Sequence, residues 1–272
     1  MPTLNAAACA ELMEALTPIC AAAALAILDK PRGSARIKAD GSPVTAADEA
    51  ADAVIKAGLD RLAPQLPVIS EESAGPNRPA FAGASVILVD PLDGTRDFMA
   101  GRDEYTINIA LVTDGVPVLG VMAAPALGLI WRGIVDLGAE RMQFTREGGT
   151  APPRAIRTRR FAAQTPSIMV SRSHLDARTQ SYVGALPGAT LIPCGSALKF
   201  CRLAEGAADL YPRLAPTHDW DTAAGHAILT AAGGAVTAPD GGPVVYGTPE
   251  LLIPAFLAWG DPARASGGLL AG

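Results

Sequence analysis

Apolar positions along this chain alternate between helical and strand periodicity, beginning with a long alanine-rich segment. Over 6–28 they recur at helical spacing, which predicts an amphipathic helix packed on a core. A second alanine-rich helix is predicted to start after Thr45, a good N-cap, and to end near residue 62, with Asp48 close to a capping-box position. The run 86–89 is short, continuous and β-branched, which predicts a strand buried on both faces.

Further strands follow this central run. Residues 105–112 alternate, Asp114-Gly115 is a hairpin-turn signal, and 116–122 supplies the return strand, with a third strand over 129–135. In the second half, the pattern predicts strands at 167–170, 190–193 and 209–211, and helices at about 176–185, from 195 onward and at 221–232. Helices packed with a mixed sheet place the chain in the α/β class.

A boundary between two α/β halves is predicted near residue 150. Gly148-Gly149 and Pro152-Pro153 punctuate the chain there, as turn-forming residues do between domains. The expected division is an N-terminal subdomain over 1–150 and a C-terminal subdomain over 151–272.

Composition narrows the class of protein. The chain has 272 residues, of which 49% are hydrophobic, so it can bury a large core. Its net charge of -5 argues against a dedicated nucleic-acid binder. The four cysteines form no CxxC pair, which favours reduced thiols in a cytoplasmic protein and makes a zinc site a poor interpretation. Glu11 and Glu14 interrupt the first apolar segment, so we expect neither a signal peptide nor a membrane span there.

Acidic residues follow the central strand directly. Asp90 and Asp93 flank Pro91, which is expected to end the strand ladder because proline has no N–H, and Gly94 permits a sharp turn. Two carboxylates about 4 Å apart repel by roughly 4 kcal/mol at an effective dielectric constant of about 20. They share a site only if one is protonated or a cation lies between them. The alternative is a capping turn in which Asp93 accepts backbone N–H groups.

Two other segments repeat this arrangement of acids. The short strand 68–70 runs into Glu71-Glu72, and Asp221 falls in the first turn of a predicted helix. Each has a plain structural interpretation, because paired glutamates are usually solvated and Asp at a helix start stabilises the dipole. Asp48 is open to the same two interpretations, and the residues alone leave the choice open.

Taken together, the segments ISEES, VDPLDGTRDF and HDWDTAAGH resemble the inositol monophosphatase-like superfamily of lithium-sensitive phosphatases. The last two motifs lie about 130 residues apart, which makes the pair more specific than either alone. The resemblance covers nearly the whole chain. It implies a layered α-β-α-β-α sandwich and Mg²⁺-dependent hydrolysis of phosphate monoesters, with two or three Mg²⁺ ions in each active site.

The stretch GSALKFCRLAEGAADLYPRLAPTHDWDTAAGHAIL is most similar to the 3′(2′),5′-bisphosphate nucleotidase branch of that superfamily. This resemblance implies removal of the 3′-phosphate from adenosine 3′,5′-bisphosphate, and from its sulfated form, to leave AMP in the first case. The chain departs from the branch at Arg96, where lysine is expected. The charge is kept there, but the geometry of the donor differs.

Site residues follow from the same resemblance, motif by motif. The implied metal ligands are Glu71, Asp90, Asp93, Asp221 and the carbonyl of Leu92, which are hard oxygen donors that suit Mg²⁺. The implied catalytic residues are Asp48 and Thr95, which would activate the attacking water, together with Glu71. The implied substrate contacts are Asp93, Gly94, Thr95, Arg96, Ser171, His174, Gly195, Lys199 and Asp221, with Arg213 as a weaker candidate. Lys199 would contact the second phosphate, unless it is simply a surface lysine.

Other functions remain open at this point. The same metal chemistry could serve an inositol phosphatase or a sugar bisphosphatase. A haloacid-dehalogenase-type phosphatase would form an aspartyl phosphate, but its two aspartates are two apart, and Asp90 and Asp93 are three apart. A protein that only senses nucleotides would not need Asp48 and Thr95. The expected partner is a small phosphorylated nucleotide, with a homodimer left open. The expected location is the cytoplasm, with peripheral contact to the inner membrane face as an alternative.

Overall fold

The computed structural model describes residues 5–38, 41–73, 85–161, 165–173 and 175–265. Its helices are α1 (Ala6–Leu28), α2 (Ala46–Leu62), α3 (Thr95–Met99), α4 (Ala177–Gly184), α5 (Leu198–Ala204) and α6 (Asp219–Ala231). Its strands are β1 (Arg36–Ile37), β2 (Pro43–Val44), β3 (Val68–Ser70), β4 (Ser85–Asp93), β5 (Thr106–Thr113), β6 (Val116–Ala124), β7 (Leu129–Ile134), β8 (Gly138–Gln143), β9 (Arg154–Ile156), β10 (Ser167–Ser171), β11 (Thr190–Cys194), β12 (Leu210–Arg213), β13 (Thr217–His218), β14 (Ala235–Thr237), β15 (Leu252–Ile253) and β16 (Phe256–Trp259).

A seven-stranded sheet, in the order β3-β4-β5-β6-β7-β8-β9, forms the first β layer. Only β3 and β4 run parallel within it. The side chains of β4 alternate, so that Ile87 and Val89 pack with α1 and α2, whereas Val86 and Leu88 pack with α5 and α6. The prediction of a strand buried on both faces is confirmed.

A five-stranded sheet, in the order β11-β10-β12-β16-β14, forms the second β layer. Met169 on β10 joins the core shared with α5 and α6, while its neighbours Ile168 and Val170 pack with α4 on the other face. The layers are therefore α1 and α2, sheet, α5 and α6, sheet, and α4. This is the predicted α-β-α-β-α sandwich. The division at residue 150 stays a prediction, and β9 of the first sheet lies just beyond it.

Helix α1 passes the length and composition test for a membrane span, with a mean hydropathy of 1.7 over its most apolar window. The core helix of a soluble protein passes the same test, so the expectation that Glu11 and Glu14 exclude a membrane span stays a prediction. In this fold, however, nine of its residues are buried, and the helix packs against α2 and β6. The buried Arg132 side chain reaches it from β7 and donates to Glu14 at 2.9 Å.

The central strand is longer than predicted. It passes through Pro91 and ends at Asp93, so the expectation that Pro91 ends the ladder is wrong. The register shifts between Asp90 and Asp93, and the missing N–H of the proline falls within that irregularity. Seven strands, β2, β8, β9 and β13 to β16, were not predicted from the sequence.

Candidate active site

A cavity of about 250 Å³ opens where the acidic strand ends meet the starts of α3, α5 and α6. The predicted site residues that line it are Glu71, Asp93, Gly94, Thr95, Arg96, Ser171, Gly195, Lys199 and Asp221. Three others, Asp48, Asp90 and Leu92, are not in its lining and are each about 1% exposed. His174 lies outside the described residues. The fold thus gathers acids from both halves of the chain around one cavity.

The Asp48 carboxylate is held by the start of its own helix. Thr45 donates to Oδ2 of Asp48 twice, from its N–H at 2.8 Å and from its hydroxyl at 2.5 Å. The first of these bonds and the Asp48 N–H, which donates to the Thr45 hydroxyl oxygen, form the capping box. The other oxygen, Oδ1, accepts the Thr95 hydroxyl at 3.1 Å. Burial raises the pKa of Asp48, and the bonds from Thr45 and Thr95 oppose that rise. The capping role and the contact with Thr95 therefore coexist in one side chain.

The remaining acids carry surplus negative charge in a buried setting. The pKa of Asp90 is raised well above its usual value by burial first, and then by the charges of Glu71, Asp93 and Asp221. Burial and the neighbouring Asp93 raise the pKa of Asp221 to about 6. The pKa of Glu71 is also raised, by burial first, with Asp221 and Asp93 contributing. Mutual repulsion of this kind is relieved by a bound cation.

Each of these acids also has a partner in the protein. Asp90 accepts the N–H of Leu92 at 3.0 Å, and the Thr217 hydroxyl donates to Asp221. Lys38, on the hairpin of β1 and β2, lies 3.0 Å from Glu71 and 2.7 Å from Glu72. Among the described residues, no three His, Cys, Asp or Glu side chains are grouped as ligands of one metal ion. These hydrogen bonds use one oxygen of each carboxylate, which is Oδ1 of Asp90, Oδ2 of Asp221 and Oε1 of Glu71.

Asp93 is tied to the loop before α5. Its Oδ2 accepts the Ser196 hydroxyl at 2.7 Å and the Ala197 N–H at 2.6 Å. Ser196 has a φ of 55°, which is the left-handed region that non-glycine residues seldom adopt. Two segments 103 residues apart in sequence are thereby joined at the cavity wall.

Glycine is required at two positions of this wall. Gly94 has a φ of 95° between β4 and α3. At Gly195, a Cβ atom would lie 2.7 Å from the carbonyl oxygen of Glu104 and 2.9 Å from Oδ2 of Asp97. The resemblance placed both glycines near the substrate, and the fold gives each a steric reason as well.

Lys199 is buried, so the alternative of a surface lysine is wrong. Its ammonium donates to the carbonyls of Ser196 at 2.5 Å and Cys194 at 3.2 Å, and it lies 4.9 Å from the centre of the Tyr211 ring. Arg213 also lines the cavity, and its Nε is buried without a hydrogen-bond partner among the described residues. These two cations lie on the side of the cavity formed by the second half of the chain.

An ion-pair network at the edge of the cavity, where Asp97 and Ser173 belong to its lining, was not predicted from the sequence. Asp97 accepts Arg102 at 2.6 Å and the Ser173 hydroxyl at 3.1 Å. Glu104 binds Arg172 through two bonds of 2.7 and 2.8 Å and accepts the Gly195 N–H. Asp97 and Arg102 are 5 residues apart, but the other contacts span 68 to 91 residues, so no local pattern predicts them. They hold the loop after α3 against the segments that follow β10 and β11.

Comparison with known proteins matches the chain to one family. A model of the Inositol monophosphatase family matches residues 9–268. The 3′(2′),5′-bisphosphate nucleotidase CysQ of Shigella flexneri is 44% identical over 220 residues, which are 80% of this chain and 86% of that protein. The Escherichia coli K12 protein of the same name is 43% identical over the same lengths.

Solved structures give the same result. CysQ from Bacteroides thetaiotaomicron, described as a bacterial member of the inositol monophosphatase family, matches with a TM-score of 0.74 at 35% identity. The match covers 90% of this chain and 96% of that one. An inositol monophosphatase from Anabaena shares the fold at a TM-score of 0.75 and 24% identity.

Proposed function

The chain belongs to the inositol monophosphatase family, and on that premise we propose that it is a 3′(2′),5′-bisphosphate nucleotidase. Its substrate would be adenosine 3′,5′-bisphosphate, which loses the 3′-phosphate to give AMP, and the sulfated form would be hydrolysed in the same way. The likeness to CysQ proteins at 43–45% identity supports this substrate class. The single observation that carries the chemistry is the convergence of Glu71, Asp93, Thr95 and Asp221 on one cavity.

The acids of the cavity fit Mg²⁺. We propose Glu71, Asp90, Asp93, Asp221 and the Leu92 carbonyl as ligands, all of them hard oxygen donors. The like charges that raise the pKa values of Asp90 and Asp221 are the surplus that a divalent cation offsets. Bound Mg²⁺ would neutralise the dianionic phosphate and lower the pKa of a coordinated water molecule. The relatives' family is metal-dependent, and inhibition by lithium is expected.

Thr95 and Asp48 would handle the proton of the attacking water. Thr95 lines the cavity, and its hydroxyl donates to Oδ1 of Asp48. Since Thr45 already occupies Oδ2, Oδ1 is the oxygen that can receive a proton from Thr95. A positioned acid–base pair of this kind contributes about 10²–10⁴ to a rate.

The substrate would lie between the two halves of the chain. The backbone N–H groups of Gly94 and Thr95 are proposed to hold oxygens of the reacting phosphate. Lys199 and Arg213 line the opposite side and would attract the second phosphate, with Ser171, Gly195 and Arg96 completing the wall. Four free, buried cysteines suit a reducing compartment, so we place the enzyme in the cytoplasm.

The test compares phosphate release from adenosine 3′,5′-bisphosphate and from myo-inositol 1-phosphate at saturating Mg²⁺. We expect kcat/KM to be about 10- to 100-fold higher for the nucleotide, since its second phosphate adds charge-assisted hydrogen bonds. An Arg213→Met variant should reduce that preference by weakening the nucleotide reaction alone. Equal or reversed preference in the unmodified enzyme would assign it to the inositol or sugar phosphatases of the family instead.

A further inference from the structure

A chain of polar side chains runs behind the cavity wall, from Asp93 into the core of the first sheet. Oδ2 of Asp93 lies 2.7 Å from the Ser196 hydroxyl, which lies 2.6 Å from the Thr106 hydroxyl. The Thr106 hydroxyl in turn lies 2.9 Å from the side-chain amide of Asn108. Thr106 and Asn108 are at most 1% exposed and lie outside the lining of the cavity.

The three contacts along these side chains cannot all be hydrogen bonds while the Asn108 amide has this orientation. Three contacts need three donated protons, but the hydroxyls of Ser196 and Thr106 carry one proton each. Oδ1 of Asn108 faces Thr106, so the amide contributes an acceptor where a donor is lacking. Its Nδ2, with two protons, has no partner among the described residues. A buried, unpaired donor beside a contact that lacks a donor indicates that the amide has the opposite orientation.

We propose that the Asn108 amide is turned by 180°, so that a hydrogen-bond chain of fixed direction ends on Asp93. We call this chain the relay; it orients hydrogen bonds and transfers no proton. The oxygen and nitrogen of an amide occupy almost the same space, so the turn moves no neighbour. Nδ2 then donates to Thr106, Thr106 to Ser196, and Ser196 to Asp93. The orphaned atom becomes a carbonyl oxygen, which proteins leave unpaired more readily than an N–H.

The relay makes Asn108 and Thr106 positioning residues for Asp93. Oδ2 of Asp93 accepts hydrogen bonds from the Ser196 hydroxyl and the Ala197 N–H, so Oδ1 is left for a metal ion. The left-handed backbone of Ser196 is consistent with a residue fixed from several sides.

This inference rests on the proposed function, because it assumes that Asp93 binds Mg²⁺. The experiment therefore first measures Mg²⁺ binding to the unmodified protein by titration calorimetry, without substrate. Absence of binding there would overturn the proposed metal site itself. The relay is then tested with Thr106→Val, which keeps the shape and removes the hydroxyl, and Thr106→Ser, which restores it.

We expect Thr106→Val to weaken Mg²⁺ binding by about threefold to tenfold and Thr106→Ser to stay within about twofold of the unmodified protein. Asn108→Leu removes the first donor at similar volume and should match Thr106→Val. In a Ser196→Ala background, Thr106→Val should cause no further loss, since the link to Asp93 is already broken. Thermal melts of each variant show whether it is folded.

The relay is overturned if folded Thr106→Val and Asn108→Leu proteins both bind Mg²⁺ as the unmodified protein does. It is overturned equally if Thr106→Val causes the same loss in the Ser196→Ala background, because that result describes a packing effect. Ser196→Ala alone removes the hydroxyl that contacts Asp93 directly. It should weaken Mg²⁺ binding at least as much as Thr106→Val.

Discussion

The Thr95 hydroxyl lies 3.1 Å from Oδ1 of Asp48, a residue 47 positions earlier in the chain. The same hydroxyl lies 3.3 Å from the carbonyl of Leu92, so it is oriented between the base and a proposed metal ligand. Thr45 saturates the opposite oxygen of Asp48. One helix start therefore both caps itself and holds a single carboxylate oxygen against Thr95 in the cavity wall.

Replacement of Thr95 by alanine should remove the route for the proton of the attacking water. We expect Thr95→Ala to reduce kcat for adenosine 3′,5′-bisphosphate by about 10²-fold or more. Thr95→Ser keeps the hydroxyl and should retain most of the activity. Steady-state phosphate release measures both variants, and unchanged kcat in Thr95→Ala would contradict the assigned proton transfer.

Replacement of Asp90 by asparagine should separate the destabilisation caused by the buried charge from the role of that charge in binding Mg²⁺. Because burial and neighbouring acids raise the pKa of Asp90, the neutral Asp90→Asn side chain should stabilise the metal-free protein at pH 8. It should also abolish the rise in Tm that Mg²⁺ gives the unmodified protein. Thermal melts with and without Mg²⁺ measure both effects.

The control for that comparison is Asp240→Asn, in an exposed turn where the carboxylate only accepts the Gly242 N–H. It should leave the Mg²⁺-dependent rise in Tm intact. An Asp90→Asn protein that still gains stability from Mg²⁺ as the unmodified protein does would show that Asp90 is not a ligand.

Gly195 should tolerate no side chain. The Cβ of Gly195→Ala would press on the Glu104 carbonyl at 2.7 Å, so we expect a loss of about 1–3 kcal/mol in unfolding free energy and a higher KM. Gly184→Ala is the matched control, since no atom lies within 4 Å of its Cβ at the exposed end of α4. That control should be neutral or stabilise by up to about 1 kcal/mol. Urea unfolding of both variants gives the comparison, and equal effects would refute the steric argument.

His226 should make the protein sensitive to acid. Burial lowers the pKa of His226 to about 4 from 6.5, and its Nδ1 lies 3.1 Å from the Tyr246 hydroxyl. The unfolded chain therefore binds the proton first as pH falls, so this contribution to stability is complete above about pH 6.5 and is lost towards pH 4. The loss amounts to at most about 3 kcal/mol.

The raised pKa values of Asp219 and Asp221 act in the opposite direction over the same range, because their folded forms bind protons more readily. The measurement is therefore a difference in unfolding free energy between the unmodified protein and His226→Gln at pH 7, 6, 5 and 4. The advantage of the unmodified protein should shrink as pH falls. A constant difference would contradict the assignment.

Local patterns in the sequence predicted what local physics determines. The apolar run before Asp90 correctly predicted the central strand, and the cap at Thr45 correctly predicted the start of α2. These two elements carry Asp90, Asp93 and Asp48. Lys38 was missed because its partner Glu71 lies 33 residues away, and Ser196 because Thr106 lies 90 residues away. Pairings at such separations depend on how sheets and helices stack.

Short strands were missed for a related reason. Strands β14, β15 and β16 have two to four residues each. Segments this short do not show the alternation of apolar and polar residues that predicts a strand. Their pairing with β12, β13 and one another stabilises them. The prediction that Pro91 ends the strand was wrong because the register shifts between Asp90 and Asp93. The proline, which has no N–H, lies where the regular ladder is interrupted.

The central claim is that acids from both halves of the chain tolerate one another because divalent cations bind among them. Phosphate release from adenosine 3′,5′-bisphosphate, measured across a Mg²⁺ titration that starts in EDTA, tests it most directly. We expect no release in EDTA and a saturable rise as Mg²⁺ is added. Release in EDTA equal to that at saturating Mg²⁺ would contradict it.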